Sequence, residues 1–405
     1  MNKHTRTRAF LLAVAIMVIA VASGRLNADT GICGGASITL PFTDVSSSNV
    51  FFCSIAEAFF SGLTNGATMT TYNPSAPVPR EQMAAFVSRT MDQSVKRSSQ
   101  RAKLNQFWTT QGADSFGLTT VGGNPGLLKS DGADLWVLNS NHQVIRVRAS
   151  DGRGLETWTD AINASAVLPA IGRVFVTGYP NGDQTNGILY QIDPTQAPGA
   201  VSTVTAILGA SPIAIAYDGL SIWTANFGSE SGSPSVSIVS FNPVTVKTTS
   251  TGFSLPFGIV YDGASVWVTD AGDHTIKRLD SSGNIVQTVG VGTGPRFPAF
   301  DGTNLWVPSH ISSSVSVVRA TGGLAGTVLA TLTGNGLDSP IQAAFDGERI
   351  MVTNQIGQSV SLWKASDLTP MGTFSTGSGT FPYGVCSDGL NFWISLSFTG
   401  QVARF

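Results

Sequence analysis

Charged side chains are scarce in this sequence: 23 basic and 25 acidic residues in 405 leave a formal net charge of −2. A nucleic-acid binder needs a basic stripe to neutralise phosphates, and the one basic cluster, Lys96 to Lys103 (KRSSQRAK), is interleaved with serines and reads as a solvated linker over 96–104. Nucleic acid is therefore not an expected partner. Histidine is rarer still, four in the chain, and the three cysteines form neither a zinc-ligand spacing nor a CxxC pair. No metal or other cofactor is expected. A Ser-His-Asp order, a carboxylate pair at informative spacing, an EF-hand loop and a phosphate-binding glycine motif are missing as well. Catalysis is thus the less favoured reading. Long apolar runs are confined to one place, Ala9 to Ala22, whose fourteen residues fall short of the roughly 20 that a helix needs to cross a bilayer.

That run sits behind Lys3, His4, Arg6 and Arg8, and ahead of the small residues Ala22, Ser23, Gly24 and Ala28. A basic head, a short apolar stretch and small residues make a signal peptide over 1–28, cleaved somewhere between 23 and 28. The expected mature protein is secreted, periplasmic or on the cell surface, with no membrane span. An oxidising destination suits a disulfide between Cys33 and Cys53, whereas Cys386, in the apolar stretch YGVCSDG, reads as a small buried hydrophobe.

Glycine is abundant, 45 residues, which with many Ser and Thr points to short strands and tight turns. The strongest signal is a repeat, P-x5-D-G-x3-W. Its copies are Pro125, Asp131, Gly132, Trp136; Pro212, Asp218, Gly219, Trp223; Pro256, Asp262, Gly263, Trp267; Pro295, Asp301, Gly302, Trp306; and Pro382, Asp388, Gly389, Trp393. Pro340, Asp346 and Gly347 form another, with Met351 in place of tryptophan, and a degenerate copy around Phe175 fills the gap of 87 residues between Trp136 and Trp223. Successive anchors lie 39 to 48 residues apart. Within residues 256–300 four strands are legible: Gly258 to Tyr261, Ser265 to Thr269, Thr275 to Leu279 and Asn284 to Val289. Seven four-stranded units over 105–405 make an all-β fold, a seven-bladed β-propeller. The tryptophans, one per blade, read as wedges between neighbouring sheets.

The final blade runs out of chain, because the twelve residues after Trp393 finish a second strand and form a third. Its fourth must come from upstream of Pro125, with Phe107 to Thr110 and Phe116 to Val121 as the candidates.

Residues 29–95 have a different pattern. Ile55 to Leu63 and Arg80 to Met91 show helical periodicity, the second with Met83, Phe86 and Val87 on one face. Phe42-Thr-Asp-Val45, Gly62-Leu-Thr-Asn-Gly66, Tyr72 with Pro74, and Val78-Pro-Arg-Glu-Gln82 follow one another in the order of a motif set. In that order they resemble a single S-layer homology domain, a small α-helical module. The resemblance implies a cell-wall or envelope glycan as partner and places Arg80 where the family's arginine meets an acidic glycan. Pro79 stands where the family has a helix-capping threonine, and one copy is present where wall-binding members usually carry three. Arg80 as a solvated first-turn residue is the other reading.

The propeller repeats resemble the NHL, YVTN and streptogramin-lyase-like group. Lyase members carry a tryptophan-phenylalanine-x-glutamate segment and histidines that hold magnesium and act as base. The matching strands here read WVLN, WTAN, WVTD, WVPS, MVTN and WISL, without a glutamate, so no lyase residue carries over. Binding candidates come instead from the loops at one propeller face. Three residues past the anchors stand Asn139, Asn226, Asp270 and Asn354, and Asp270, His274, Arg296 and His310 share two neighbouring blades. They make a polar mouth for an anion, sugar or metal, or else turn residues bonded to their own backbone. Two functions follow: an envelope-associated scaffold whose propeller binds an unknown protein or glycan, or a secreted lyase or hydrolase using the His-bearing face.

Overall fold

In the five repeat copies that keep both residues, the aspartate bonds to its own turn and to the tryptophan five residues on. One carboxylate oxygen accepts the backbone N–H groups two and three residues ahead, as Asp262 does from Ala264 and Ser265 at 2.8 and 2.6 Å. The other accepts the indole N–H, at 2.6–2.9 Å in all five. The glycine after each repeat aspartate has φ between +90° and +99°, which an L side chain resists. So P-x5-D-G-x3-W is a single hydrogen-bonded unit that closes the first hairpin and fixes the indole. Where Met351 replaces tryptophan, Asp346 turns to the Arg349 guanidinium at 3.0 Å.

The computed structural model describes residues 29–33, 36–60, 64, 66–98, 117–182, 185–230 and 232–405. The expected signal peptide and the candidate strand Phe107 to Thr110 lie outside them. The chain divides into two units at Phe107.

In the first unit, β1 (Thr30–Cys33) pairs antiparallel with β2 (Ala36–Thr39), followed by α1 (Phe52–Phe60) and α2 (Arg80–Ser98). Phe42 is fully buried between Phe59 and Tyr72, with ring centroids 5.2 and 5.4 Å away. Asp44 accepts the backbone N–H of Tyr72 and Asn73 at 2.7–3.1 Å, and Gly66, at φ +82°, leaves no room for a Cβ against the Phe42 ring. The opening motif and the Gly- and Tyr-bearing loop are thus parts of one small core. The Pro79 carbonyl accepts the Met83 N–H at 3.0 Å, so proline stands just before α2, at the capping place. Met83 and Val87 are 52% and 53% exposed, so the expected apolar stripe is not covered within this unit. The helix also continues to Ser98, three residues into the segment expected to be linker, where no glycine or proline stops it.

Cys33 and Cys53 are joined by a disulfide that ties β1 to α1, and Cys386 is a buried free thiol pushed up to about 12 by its burial. The thiolate is the reactive form. Iodoacetamide at pH 8 should therefore label none of the three in the folded protein, Cys386 alone after unfolding without reductant, and all three after reduction. Mass spectrometry reads the result, and alkylated Cys33 or Cys53 in unreduced material would disprove the pairing.

The second unit is seven sheets of four antiparallel strands, and in the first six blades the strands follow chain order from the axis outward, the second blade included. Their innermost strands are Pro125–Ser130, Ala166–Ala170, Pro212–Tyr217, Pro256–Tyr261, Ala299–Phe300, Pro340–Phe345 and Pro382–Ser387. The last sheet is completed by β3 (Gly117–Thr120), which pairs antiparallel with Gln401–Arg404 and so closes the ring between distant parts of the chain. The tryptophans are wedges, as expected. Trp136 packs on second-blade Val174 and Val176, Trp306 on sixth-blade Ile350 and Val352, and Trp393 on first-blade Leu135 and Val137, all of them buried. The fifth blade is irregular, since Pro295 and Pro298 lack donors and shorten its inner strand. Phe297 instead exchanges backbone hydrogen bonds with Ile341 and Ala343 of the sixth blade, both at 3.1 Å.

Candidate functional site

The residue after each leading proline, or after Ala164 where the second blade lacks one, stands at one end of the blade's inner strand, beside the propeller axis. Through the seven blades this position reads Gly126, Ser165, Ile213, Phe257, Arg296, Ile341 and Tyr383. Two of these have their backbone held by a threonine two residues past the preceding blade's anchor. Thr269 donates to the Arg296 carbonyl at 2.8 Å, and Thr353 to the Tyr383 carbonyl at 2.7 Å. The repeat thus fixes the position of the main chain and leaves the side chain to vary.

Here Phe257 and Tyr383 at this position join Phe227 and Phe297 in an aromatic floor. A pocket of about 360 Å³ is lined by Leu127, Ile213, Phe227, Phe257, Phe297 and Tyr383, with Ser165 and small residues of the first two blades between them. The rings meet edge to face: Phe227 and Phe257 at 5.9 Å, Phe257 and Phe297 at 4.9 Å, Phe297 and Tyr383 at 6.2 Å between centroids. The Arg296 guanidinium lies over Phe257, 4.0 Å from its centroid. Burial lowers the Arg296 pKa and raises that of the Tyr383 phenol, and each is partly offset by the other's charge. His310 is held below its ordinary value by burial and then by the Arg296 charge, so its imidazole is neutral near pH 7. The Arg296 Nε and His310 Nδ1 are both buried without a hydrogen-bond partner.

The same end of the propeller carries an apolar rim on three blades. The leading prolines pair with the third residue past the anchor, Pro340 with Asn354 and Pro382 with Leu396, which places the following turns at this same end. Their tips carry Ile311, Ile356 and Phe398, on three successive blades, 67%, 54% and 64% exposed, and Phe398 stacks on Phe381 at 4.2 Å.

The other candidates are engaged internally. Asn139 donates to the Val121 carbonyl at 3.3 Å and accepts from Asn141 and Gln143. Asn226 bonds Ser235, Ser237 and Thr224, and Asn354 bonds Ser359 and Ser361. Asp270 is fully buried, paired with Lys277 at 2.6 Å and accepting the N–H groups of Ser254 and Leu255. Asn139, Asn226 and Asp270 are therefore internal latches rather than groups aimed at a ligand, whereas the Asn354 Oδ1 and, three past the fifth anchor, the Ser309 Oγ are buried without a partner. His274, at φ +60°, bonds the Ala271 carbonyl within its own turn. Arg80 is exposed at the first residue of α2, in the other unit. Of the sequence candidates, Arg296 and His310 come together at the mouth. Phe227, Phe257, Phe297 and Tyr383 were not among the candidates, and the signal that could have found Phe257 and Tyr383 is the variable position after the leading proline.

Among the described residues no group of three or more His, Cys, Asp or Glu is placed to hold a metal ion. No protein-family model and no curated protein matches the sequence. Solved structures do. The chain is similar to a streptogramin B lyase at 14% identity and a TM-score of 0.58, covering 71% of this chain and 97% of that one. It is similar to virginiamycin B lyase from Staphylococcus aureus at 15% identity and a TM-score of 0.58, covering 72% and 99%. The WD40 propeller domain of Doa1 aligns at 11% identity and a TM-score of 0.57, covering 72% and 97%. At such identities the likeness establishes the propeller fold and nothing about activity.

Proposed function

We propose that this chain is an exported, envelope-associated binding protein whose propeller docks a partner protein at the aromatic mouth. The observation that carries the reading is the apolar end of the ring, where a pocket floored by Phe257, Phe297 and Tyr383 is flanked by exposed Ile311, Ile356 and Phe398. An apolar pocket with exposed apolar side chains at the same end of the ring is the kind of surface that takes part in interactions. Aliphatic side chains give a sugar's hydroxyls no hydrogen bonds, which favours protein over glycan at this end.

The N-terminal unit supplies the envelope contact in this proposal. Its support is the resemblance to an S-layer homology domain, in which Phe42, Asp44, Gly66 and Tyr72 all serve the packing of one core. Arg80, exposed where a helix begins, is the group that meets an acidic wall polymer, its fork suited to a carboxylate. One such contact is weak alone and gains from multivalency. The parent protein should co-sediment with purified envelope, the propeller alone should stay in the supernatant, and Arg80→Ala in a trimerised 29–95 fragment should lose about tenfold in retention. Sedimentation of the isolated propeller at the parental level would overturn the assignment.

A further inference from the structure

We infer that Arg296, stacked on the pocket residue Phe257, reads a carboxylate, the acidic side chain of a partner segment with apolar neighbours. The inference rests on the reading of this mouth as a protein-docking surface.

Several arginines that the propeller partly buries lack a carboxylate partner among the described residues, Arg319 with its own unpaired Nε being one, and of these Arg296 is the one stacked on a ring that lines this pocket. Arg146 is paired with Asp134 at 2.7 Å and Glu156 at 3.3 Å, and Arg349 with Asp346 at 3.0 Å. Arg296 has no carboxylate partner among the described residues, and its Nε is buried unpaired. The titratable groups facing it are Tyr383 and His310, both neutral near pH 7 because burial disfavours their charged forms. Asp338 acts on His310 from the side of the sixth-blade loop and forms no ion pair with Arg296. A guanidinium stacked on a phenyl ring, with no counter-charge among the described residues, is an unbalanced cation in a partly buried site where charge interactions are strengthened. Its stacking on Phe257 holds the planar fork in place, so a bidentate carboxylate meets a preformed partner. His310 Nδ1, another buried polar atom without a partner at this end, leaves further hydrogen-bonding capacity for the same group.

The rest of the pocket says what must accompany the charge. Its walls are aromatic and aliphatic, so a bare inorganic anion would leave them in contact with water. An Asp or Glu flanked by Phe, Leu or Ile satisfies both parts, the carboxylate on Arg296 and the neighbours on the floor and on the Ile311, Ile356 and Phe398 rim.

A phage-displayed library of random heptapeptides, selected on the immobilised full chain, tests this without knowledge of the partner. Enriched peptides should carry Asp or Glu beside aromatic or branched aliphatic residues. Their binding should depend on the rim, lost in the triple variant Ile311→Ser, Ile356→Ser, Phe398→Ser. Resynthesis of the best peptide with Asn or Gln replacing the acid should weaken it about tenfold on the unmodified protein, a comparison that needs no folded variant. On Arg296→Gln the acid and amide peptides should bind alike, and Arg296→Lys should keep part of the preference. Rim-dependent peptides without an acid, or equal affinity of acid and amide peptides for the unmodified protein, would overturn the anion inference and leave the docking surface standing. Absence of any rim-dependent peptide would overturn both.

Discussion

Deletion of residues 105–121 should unfold the propeller at temperatures where the parent is intact, and deletion of 29–95 should leave its melting unchanged. The closing strand makes ladder pairs from Gly117 with Arg404 to Thr120 with Gln401. Beyond the ladder, the Val121 and Gly122 N–H groups reach the Gly400 carbonyl at 2.9 and 3.0 Å, and the Thr119 hydroxyl reaches the Gly152 carbonyl of the first blade at 2.7 Å. Val121 is buried in the cluster that holds Trp393. Asn139 fastens the same stretch from the first blade. Several hydrogen bonds at about 1 kcal/mol each and one buried valine sum to something on the order of 5 kcal/mol, comparable with the whole stability of many domains. The deletion also bares Gln401–Arg404 as an unpaired edge, so aggregation should accompany the loss. Differential scanning calorimetry and light scattering report both effects. A deletion that melts like the parent would mean that the ring does not depend on this strand.

The second large effect concerns the hydrogen-bonded repeat. Trp267→Ala should destabilise the propeller by about 3–5 kcal/mol, since the indole is fully buried among Leu305, Val307 and Val318 of the next blade. Asp262→Ala removes no apolar volume worth counting but strands three donors, the N–H groups of Ala264, Ser265 and the Trp267 indole. A cost of about 2–4 kcal/mol follows from leaving them unsatisfied near the core. Asp262→Asn keeps an acceptor for some of them and should cost less. Urea unfolding measured on all three gives the ranking, and an Asp262→Ala variant within about 0.5 kcal/mol of the parent would show the motif to be a mere turn signature.

The fold was legible because ring closure and wedge packing demand the same residues in every blade. Pro, Asp, Gly and Trp recur at fixed spacing because each meets a constraint that the neighbouring blade repeats, and Phe175 could be placed by interval alone. The second candidate for the closing strand, Phe116 to Val121, could be named because the seventh blade lacked residues for its own outer strand, and Gly117–Thr120 is that strand. The mouth was harder to read for the same physical reason. Nothing in the repeat constrains the residue after the leading proline, so Phe257, Arg296 and Tyr383 carry no periodic signal. Asn139, Asn226 and Asp270 attracted notice because they are polar and periodic, and periodicity here reflects loop latching. Composition alone does not separate a side chain that bonds its own backbone from one that awaits a ligand. In the first unit, helical spacing located α2, but the exposure of Met83 and Val87 depends on what packs against the helix, which spacing does not encode.

One consequence of the closing strand concerns time rather than energy. Its partners, residues 117–120 and 401–404, lie roughly 280 positions apart along the chain, which makes this the most non-local pairing in the propeller. During synthesis the first six sheets can form from what has already emerged, while the seventh waits for residues 401–404. Until they arrive the ring remains an open arc whose first and seventh blades are free to part. A chain arrested shortly before Gln401 should therefore stay protease-sensitive at both ends of the arc, and release of the last few residues should confer resistance in a single step.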